Sequence, residues 1–430
     1  VVQGCQENAA HIRGDAPTGS KDAMMMTVLF GSQKGWTLEQ YDADAAYLQS
    51  EGLDRALLLR LPEPPPPGRR SGEIVVATGS IYGTKDAGRK WYFHLKKMLA
   101  KFGFDESALE KGFYKLIVDD KVACVIHSHV DDLLVARKCG DDRVEKILKD
   151  LRKQLYLKGE PGARSFEYLA RRFDVGTHII SITQIKATKT LEKIDVPMSR
   201  RKEPDSPVTP SEKAEYRSVV GSLQWLAQHT RMDIAAAVSR ASQRTERACV
   251  SDLLAANAIV RQVLEKPEAG LKVRRGVFDM DSFALVGFGD AAFATAEGQK
   301  SQCGELVVVC RPEDVEKVRA GRYDLCAPLS YRSGTVKRVV RSTLSAEGYA
   351  VSEATEQVEW LRQVLCEIMS HKKPLKEIEK DAEKIPGVVW SDSNNLEDTV
   401  AKDAGVVSDR RFRIVISMLR QAFSQNRLKL

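Results

Sequence analysis

Between Ala87 and Phe104 the apolar residues Trp91, Leu95, Leu99 and Phe102 fall on one side of a 3.6-residue period, which predicts an amphipathic helix. Two apolar runs follow, Val122-Ala123-Cys124-Val125-Ile126 and Leu133-Leu134-Val135, with His127 to Asp132 between them. Two short strands around a tight polar turn make a hairpin. From Ser211 to Leu264 long Ala-rich runs keep helical spacing, and from Leu271 short apolar runs alternate with polar turns. The clearest period lies between Thr343 and Met369. There Leu344, Val351, Ala354, Val358, Leu361, Leu365 and Ile368 make one stripe. Gly387–Trp390 reads as a further strand, and a basic helix follows Ser408. Leu61–Gly68 is too rich in Pro for helix or central strand, and the polar stretch 185–210 reads as a connector. The pattern predicts a mixed α+β chain in three parts, 1–184, 185–270 and 271–430.

A length of 430 residues agrees with two or three domains. Hydrophobic residues at 43% and charged residues at 29% exclude a disordered or collagenous chain. No apolar run reaches about 18 residues, so no membrane span is expected. The chain starts on Val with no charged-then-apolar leader, which argues for a piece of a longer protein without a secretory signal. The 8 cysteines are scattered, at 5, 124, 139, 249, 303, 310, 326 and 366, with no CxxC pair. That spacing fits a reducing, intracellular setting and supports no zinc ribbon or thioredoxin-type site. A formal charge of +7 is modest, but it permits polyanion binding where the basic residues cluster. Such clusters occur at Lys96-Lys97, Arg171-Arg172, Arg200-Arg201-Lys202, Arg274-Arg275 and Arg410-Arg411. Each of them also reads as a solvated face.

Asp131 and Asp132 sit side by side at the tip of the predicted hairpin, where like charges repel. An exposed turn is one explanation. A metal site is the other, and Asp42 supports it, being an acid inside a strand-like segment. Two-metal phosphoryl transfer needs carboxylates from different strands converging on one point. Three segments then carry a resemblance: Tyr41–Leu48, Ser80–Tyr92 and His129-Val130-Asp131-Asp132. They resemble successive motifs of reverse transcriptases, closest to copia-type LTR retrotransposon Pol proteins. Tyr216–Leu223 and Thr230-Arg231-Met232-Asp233-Ile234 resemble the segment that follows the polymerase in that family. The resemblance implies that Asp42, Asp131 and Asp132 hold catalytic metals. It makes Tyr47 the aromatic gate that rejects a ribose 2′-OH, with a core aromatic as the other reading. It gives Lys85 and Arg89 contacts to template or nucleotide phosphates, with a solvated helix start as the other reading. Asp86, Gly88 and His129 depart from the family's pattern, and His129 replaces a Tyr that supports the primer end.

The stripe of the long helix contains one residue that does not belong on it, Glu347. A carboxylate aimed at a core is costly unless it is paired or metal-bound. An exposed first turn is the alternative. Two more acids end apolar strands, Asp290 after Ala284–Gly289 and Asp392 after Val388–Ser391. Gly287–Ala292, Ser342–Tyr349 and Trp390–Asn394 resemble the ribonuclease H domain of the same Pol proteins, which implies a second two-metal site at Asp290, Glu347 and Asp392. The family's fourth carboxylate matches Arg413 or Val415, neither of which is acidic, while Asp409 is out of register. Gly287-Phe288-Gly289 also mimics a dinucleotide fingerprint, but the polar stretch Ala294–Gln302 cannot supply the crossover helix that motif needs.

The expected architecture is therefore a reverse-transcriptase palm with partial fingers, a helical thumb or connection region, and a ribonuclease H-like α/β domain. The resemblance implies RNA-directed DNA polymerase activity with hydrolysis of the RNA of a hybrid. It implies two Mg²⁺ (or Mn²⁺) per active site. The partners would be an RNA template, a DNA primer, an RNA–DNA hybrid and dNTPs, with no membrane, in a dimer or a Pol polyprotein context. The expected location is a cytoplasmic particle or the nucleus. The departures leave a second reading open, a decayed remnant that at most binds nucleic acid. In the family a basic Lys-Ala-Arg segment that grips the triphosphate lies just before the match to Val1-Val2-Gln3-Gly4. A chain starting there is expected to use nucleotides poorly.

Overall fold

The computed structural model describes residues 11–50, 52–401 and 407–424. Val1–Gly4 and Cys5 lie outside the described residues. The chain is of α+β class, as the pattern predicts. It divides into two compact units. One takes the residues up to Thr27, Trp36–Ala163 and Ile368–His371, and the other takes Val28–Gly35, Arg164–Glu367 and the residues from Lys372 on.

The first unit is built on a six-stranded sheet. Its strands in chain order are β1 (Thr37–Ala43), then, after a separate ribbon of β2 (Gly52–Arg60) and β3 (Ile74–Gly79), β4 (Phe104–Glu106), β5 (Phe113–Val118), β6 (Lys121–His129), β7 (Asp132–Arg137) and β8 (Leu157–Lys158). The spatial order is β4-β5-β6-β7-β1-β8. The helix Ala87–Lys101 buries Trp91, Leu95 and Leu99 in one core with Tyr41, Leu116, Ile126 and Leu133 from the sheet. Each such side chain, taken out of water, contributes about 1.5–3 kcal/mol. The helix stops at Lys101 rather than at Phe104, because Gly103 turns to φ +86 and Phe104 already starts β4. The hairpin is longer than its apolar runs. His127 and Ser128, expected in the turn, are buried strand residues, and His127 Nε2 lies 3.0 Å from the Ser20 carbonyl.

In the second unit, β9 (Ser165–Tyr168), β10 (Arg171–Val175), β11 (Ile179–Thr183) and β12 (Leu271–Arg274) form one sheet. Helices Pro210–His229, Ala235–Gln243 and Val250–Glu265 follow the predicted helical stretch. Thr209 starts the first of them with a capping box: its hydroxyl accepts from the Glu212 amide, and Glu212 accepts from the Thr209 amide. The polar connector is anchored by buried Leu191, Ile194 and Val196. A last sheet has the order β15 (Cys326–Thr335), β14 (Gln302–Cys310), β13 (Ala284–Ala292) and β16 (Gly387–Trp390), with β16 parallel to β13. The long helix spans Thr343–Met369, and Val351, Ala354, Val358, Leu361, Leu365 and Ile368 are all buried along it.

The glycines of β13 explain the apparent dinucleotide fingerprint. A Cβ at Gly289 would fall 2.8 Å from the Ala350 carbonyl oxygen, and one at Gly287 would fall 2.8 Å from Val358 Cγ2. They are small so that the long helix can lie on the strand. Among the described residues no helix is long and apolar enough to cross a membrane.

Candidate active sites

In the first unit β1 lies between β7 and β8, so Asp42 faces Asp132 on one side and Lys158 on the other. The link is tight here, since the Ala43 amide donates to the Asp131 carbonyl at 2.9 Å. The turn between β6 and β7 is only Val130 and Asp131. Val130 adopts φ 57, a left-handed conformation that a β-branched residue rarely takes and that is costly without support from its surroundings. Part of that support is Trp91, whose Nε1 donates to the Val130 carbonyl at 2.6 Å.

Asp42 and Asp132 are both half-buried, and both carboxyls are held above the usual range. Burial is the main cause for each, and the neighbouring acids add to it. Gln40 Nε2, donating to Asp132 at 3.1 Å, opposes the shift there. His129 is Asp132's partner across the hairpin end, so the departure from Tyr places a basic ring beside the acids. Tyr47 is half-buried, and its hydroxyl is pushed up by burial and by the Asp131 charge, which puts it near the hairpin acids. Tyr82, which sequence reasoning left without a role, packs its ring 4.6 Å from that of Tyr47. Lys85 is exposed. Arg89 pairs with Asp15.

The second unit brings Asp290, Glu347 and Asp392 together, with carboxylate oxygens all within 4.8 Å of one another. Among the described residues this is the one group of three or more metal-type ligands at that spacing, and Asp42, Asp131 and Asp132 do not meet it. Asp290 lies inside β13 rather than at its end, because the strand stays paired to β14 as far as Ala292. Asp392 follows β16 by two residues. Both aspartates are exposed, whereas Glu347 is only 6% exposed, which excludes the exposed first-turn reading. Burial, then the charges of Asp290 and Asp392, push the Glu347 carboxyl up to about 7. The Ala291 amide, donating to Glu347 Oε2 at 3.2 Å, opposes this weakly. Three acids of which one is buried and driven toward its neutral form are a donor set suited to a hard divalent cation.

No acid completes the set from the last helix, Arg410–Ser424. Val415 is buried in the core and Arg413 donates to the Val407 carbonyl. Asp409 instead caps that helix, accepting from the Arg411 amide at 2.9 Å and the Phe412 amide at 3.3 Å, and those bonds hold its carboxyl below the usual range. The basic clusters also divide. Arg171 is buried, Arg172 pairs with Asp174, Arg200 pairs with Glu212, and Lys96 pairs with Glu106 at 2.7 Å.

The reverse transcriptase (RNA-dependent DNA polymerase) family matches residues 1–200. The chain is 26% identical over 350 residues to the retrovirus-related Pol polyprotein from transposon RE1 of Arabidopsis thaliana, covering 78% of this chain and 22% of that protein. It is 23% identical over 356 residues to the Pol polyprotein from transposon TNT 1-94 of Nicotiana tabacum, covering 78% of this chain and 25% of that protein. The chain thus spans a quarter or less of the length of these relatives. Among solved structures, the foamy viral protease-reverse transcriptase in complex with an RNA/DNA hybrid superposes with a TM-score of 0.51 at 10% identity, over 97% of this chain and 46% of that one. At that identity the likeness shows the fold, which is a reverse-transcriptase fold. The family match over residues 1–200, these relatives and the ordered motifs together support a copia-type retrotransposon reverse transcriptase region.

Proposed function

We propose that the chain is an RNA-directed DNA polymerase that extends a DNA primer with dNTPs on an RNA template, and that its second acidic site cleaves the RNA of the resulting hybrid. The observation that carries the polymerase reading is the pairing of Asp42 with Asp132, at the root of a turn that presents Asp131 near Tyr47. Mg²⁺ or Mn²⁺, two ions per site, would be held by Asp42, Asp131 and Asp132 and by Asp290, Glu347 and Asp392, and when bound would stabilise charge on phosphate oxygens. Burial, with the charges of the neighbouring acids adding to it, raises the carboxyls of Asp42, Asp132 and Glu347, and a cation at either place would favour their ionised forms. Tyr47 would wall the sugar pocket against a 2′-OH, with Lys85 and Arg89 toward phosphates and His129 beside the primer end. The hydrolytic site belongs to a ribonuclease H-like domain taken as 271–430, after a palm region 1–184 and a connection region 185–270. The setting is a cytoplasmic particle or the nucleus, as a dimer or within a polyprotein.

The test is Mg²⁺-dependent extension of a DNA primer on an RNA template, with hybrid cleavage measured in parallel. Extension that needs the metal supports the reading. Its absence, with nucleic-acid binding retained, supports the second reading, a catalytically inactive remnant. That reading is favoured by the non-acidic Arg413 and Val415 where the family carries a carboxylate.

A further inference from the structure

The Pro-rich segment Leu61–Gly68 takes no part in either acidic site. It is not a spacer between parts of the chain, because both of its ends belong to one ribbon. Arg60 pairs with Ile74 across β2 and β3, and the Leu61 amide donates to the Glu73 carbonyl at 2.9 Å. Ser71 Oγ, donating to Glu63 at 2.6 Å, ties the two arms of the loop together.

Pro64, Pro65 and Pro66 each have φ fixed by their own ring and ψ pushed to the extended range by the proline that follows. Together those constraints define a polyproline II helix from Pro64 to Pro67, with three residues per turn and no backbone hydrogen bond within it. The run stops sharply. Gly68 turns to φ +79, and the Arg69 amide donates to the Pro66 carbonyl at 3.1 Å, which makes a tight turn with Pro67 and Gly68 at its centre. Pro64 and Pro67 are one turn of the run apart, so they share an edge and lie about 9 Å from each other. Both are exposed, as are Pro62 and Pro66. The ribbon face that leads up to the loop is apolar as well: Leu58 and Val76, opposite each other, and Ile74 are all exposed. Exposed apolar surface of this kind marks an interaction site.

The chemistry of the run selects the partner. A polyproline II helix seats its rings between aromatic side chains, and it binds already ordered, so little conformational entropy is lost. The chain leaves the run through Arg69 and Arg70, both exposed. Glu73 takes Arg69 at 2.8 Å, and Arg70 presents a second cation there.

We infer that the loop Leu61–Arg70 is a ligand for a separate protein domain whose groove is walled by aromatic rings and rimmed by acidic side chains, the chemistry of an SH3 domain. Pro64 and Pro67 sit between the rings, and Arg70 meets the acidic rim. This docking is independent of whether the chain extends primers.

The test titrates the full chain into a fluorescently labelled SH3 domain with a Pro-x-x-Pro preference and follows anisotropy. The same domain with its groove tryptophan replaced by alanine runs beside it. Binding is expected to the first domain and not to the second. Pro64→Ala combined with Pro67→Ala is expected to weaken binding at least about tenfold, and Pro62→Ala, ahead of the run, to leave it unchanged. Arg70→Ala is expected to weaken binding at low salt and to make little difference at high salt. Far-UV circular dichroism of these variants should match the unsubstituted chain, since the loop is exposed. No binding, binding indifferent to the proline pair, an equal loss in Pro62→Ala, or equal binding by the groove variant overturns the inference. So does sedimentation of the chain alone that shows pairing through the same prolines, which would make a second copy the occupant.

Discussion

Asp131 and Glu347 carry the sharpest expectations for single side chains. Asp131→Asn keeps the size of the turn residue but removes a charge that the proposed polymerase site would need. Primer extension is expected to fall below detection with the far-UV circular dichroism unchanged, a loss of several kcal/mol in barrier stabilisation. Retained extension by this variant removes Asp131 from the site. Glu347 makes a prediction about pH. Burial and the neighbouring acids push its folded carboxyl up to about 7, against 4.5 for an ordinary glutamate. Below 4.5 both folded and unfolded states are protonated and there is no penalty. As pH rises through that window the unfolded carboxyl ionises first, so the metal-free fold loses stability, by up to about 3 kcal/mol once pH passes the folded value. Glu347→Gln should flatten this fall in thermal melts run from pH 4.5 to 8 with chelator present. A melt profile identical to that of the unsubstituted chain would show that the carboxyl is not carrying the shift.

Elements meet at two glycines with different freedom to yield. At Gly289 the obstacle to a side chain is backbone, the Ala350 carbonyl. At Gly348 it is the Phe412 ring, 2.3 Å from an ideal Cβ. Both Gly289→Ala and Gly348→Ala should destabilise, by about 1–3 kcal/mol or more, as overpacking does. Combining Gly348→Ala with Phe412→Leu should recover part of the loss, whereas no side-chain change should rescue Gly289→Ala. Denaturant midpoints measure both, and full rescue at Gly289 would mean that the helix can slide off the strand. The same close packing explains why the apolar stripe could be read as a helix while its contact surface could not. Periodicity tells which side of a helix is buried, but a glycine on another strand decides how near that side comes.

For the whole molecule the prediction is separability. The two acidic groups belong to different compact units. Asp131→Asn should therefore leave hybrid cleavage in place, and Glu347→Gln should stop cleavage while primer extension continues, with a chelator stopping both. Loss of both activities in either variant would mean that one site performs both reactions.

Local pattern by itself determined the long helix Thr343–Met369 and the strand Gly387–Trp390, because side-chain burial repeats at the period of the backbone. It also marked Glu347 as a polar residue on an apolar stripe, and Asp131-Asp132 as acids at a hairpin tip. Tertiary structure decided what these residues face. Asp42 meets Asp132 through a strand register closed over a long loop, and Glu347 meets Asp290 and Asp392 across three separate elements. Neither pairing leaves a trace in local periodicity. Strand and helix ends moved for the same reason: Asp290 stays inside β13 because β14 continues beside it, and helix Ala87–Lys101 ends where Gly103 turns. Burial side is a property of neighbours in sequence, whereas the partner across a site is set by chain closure.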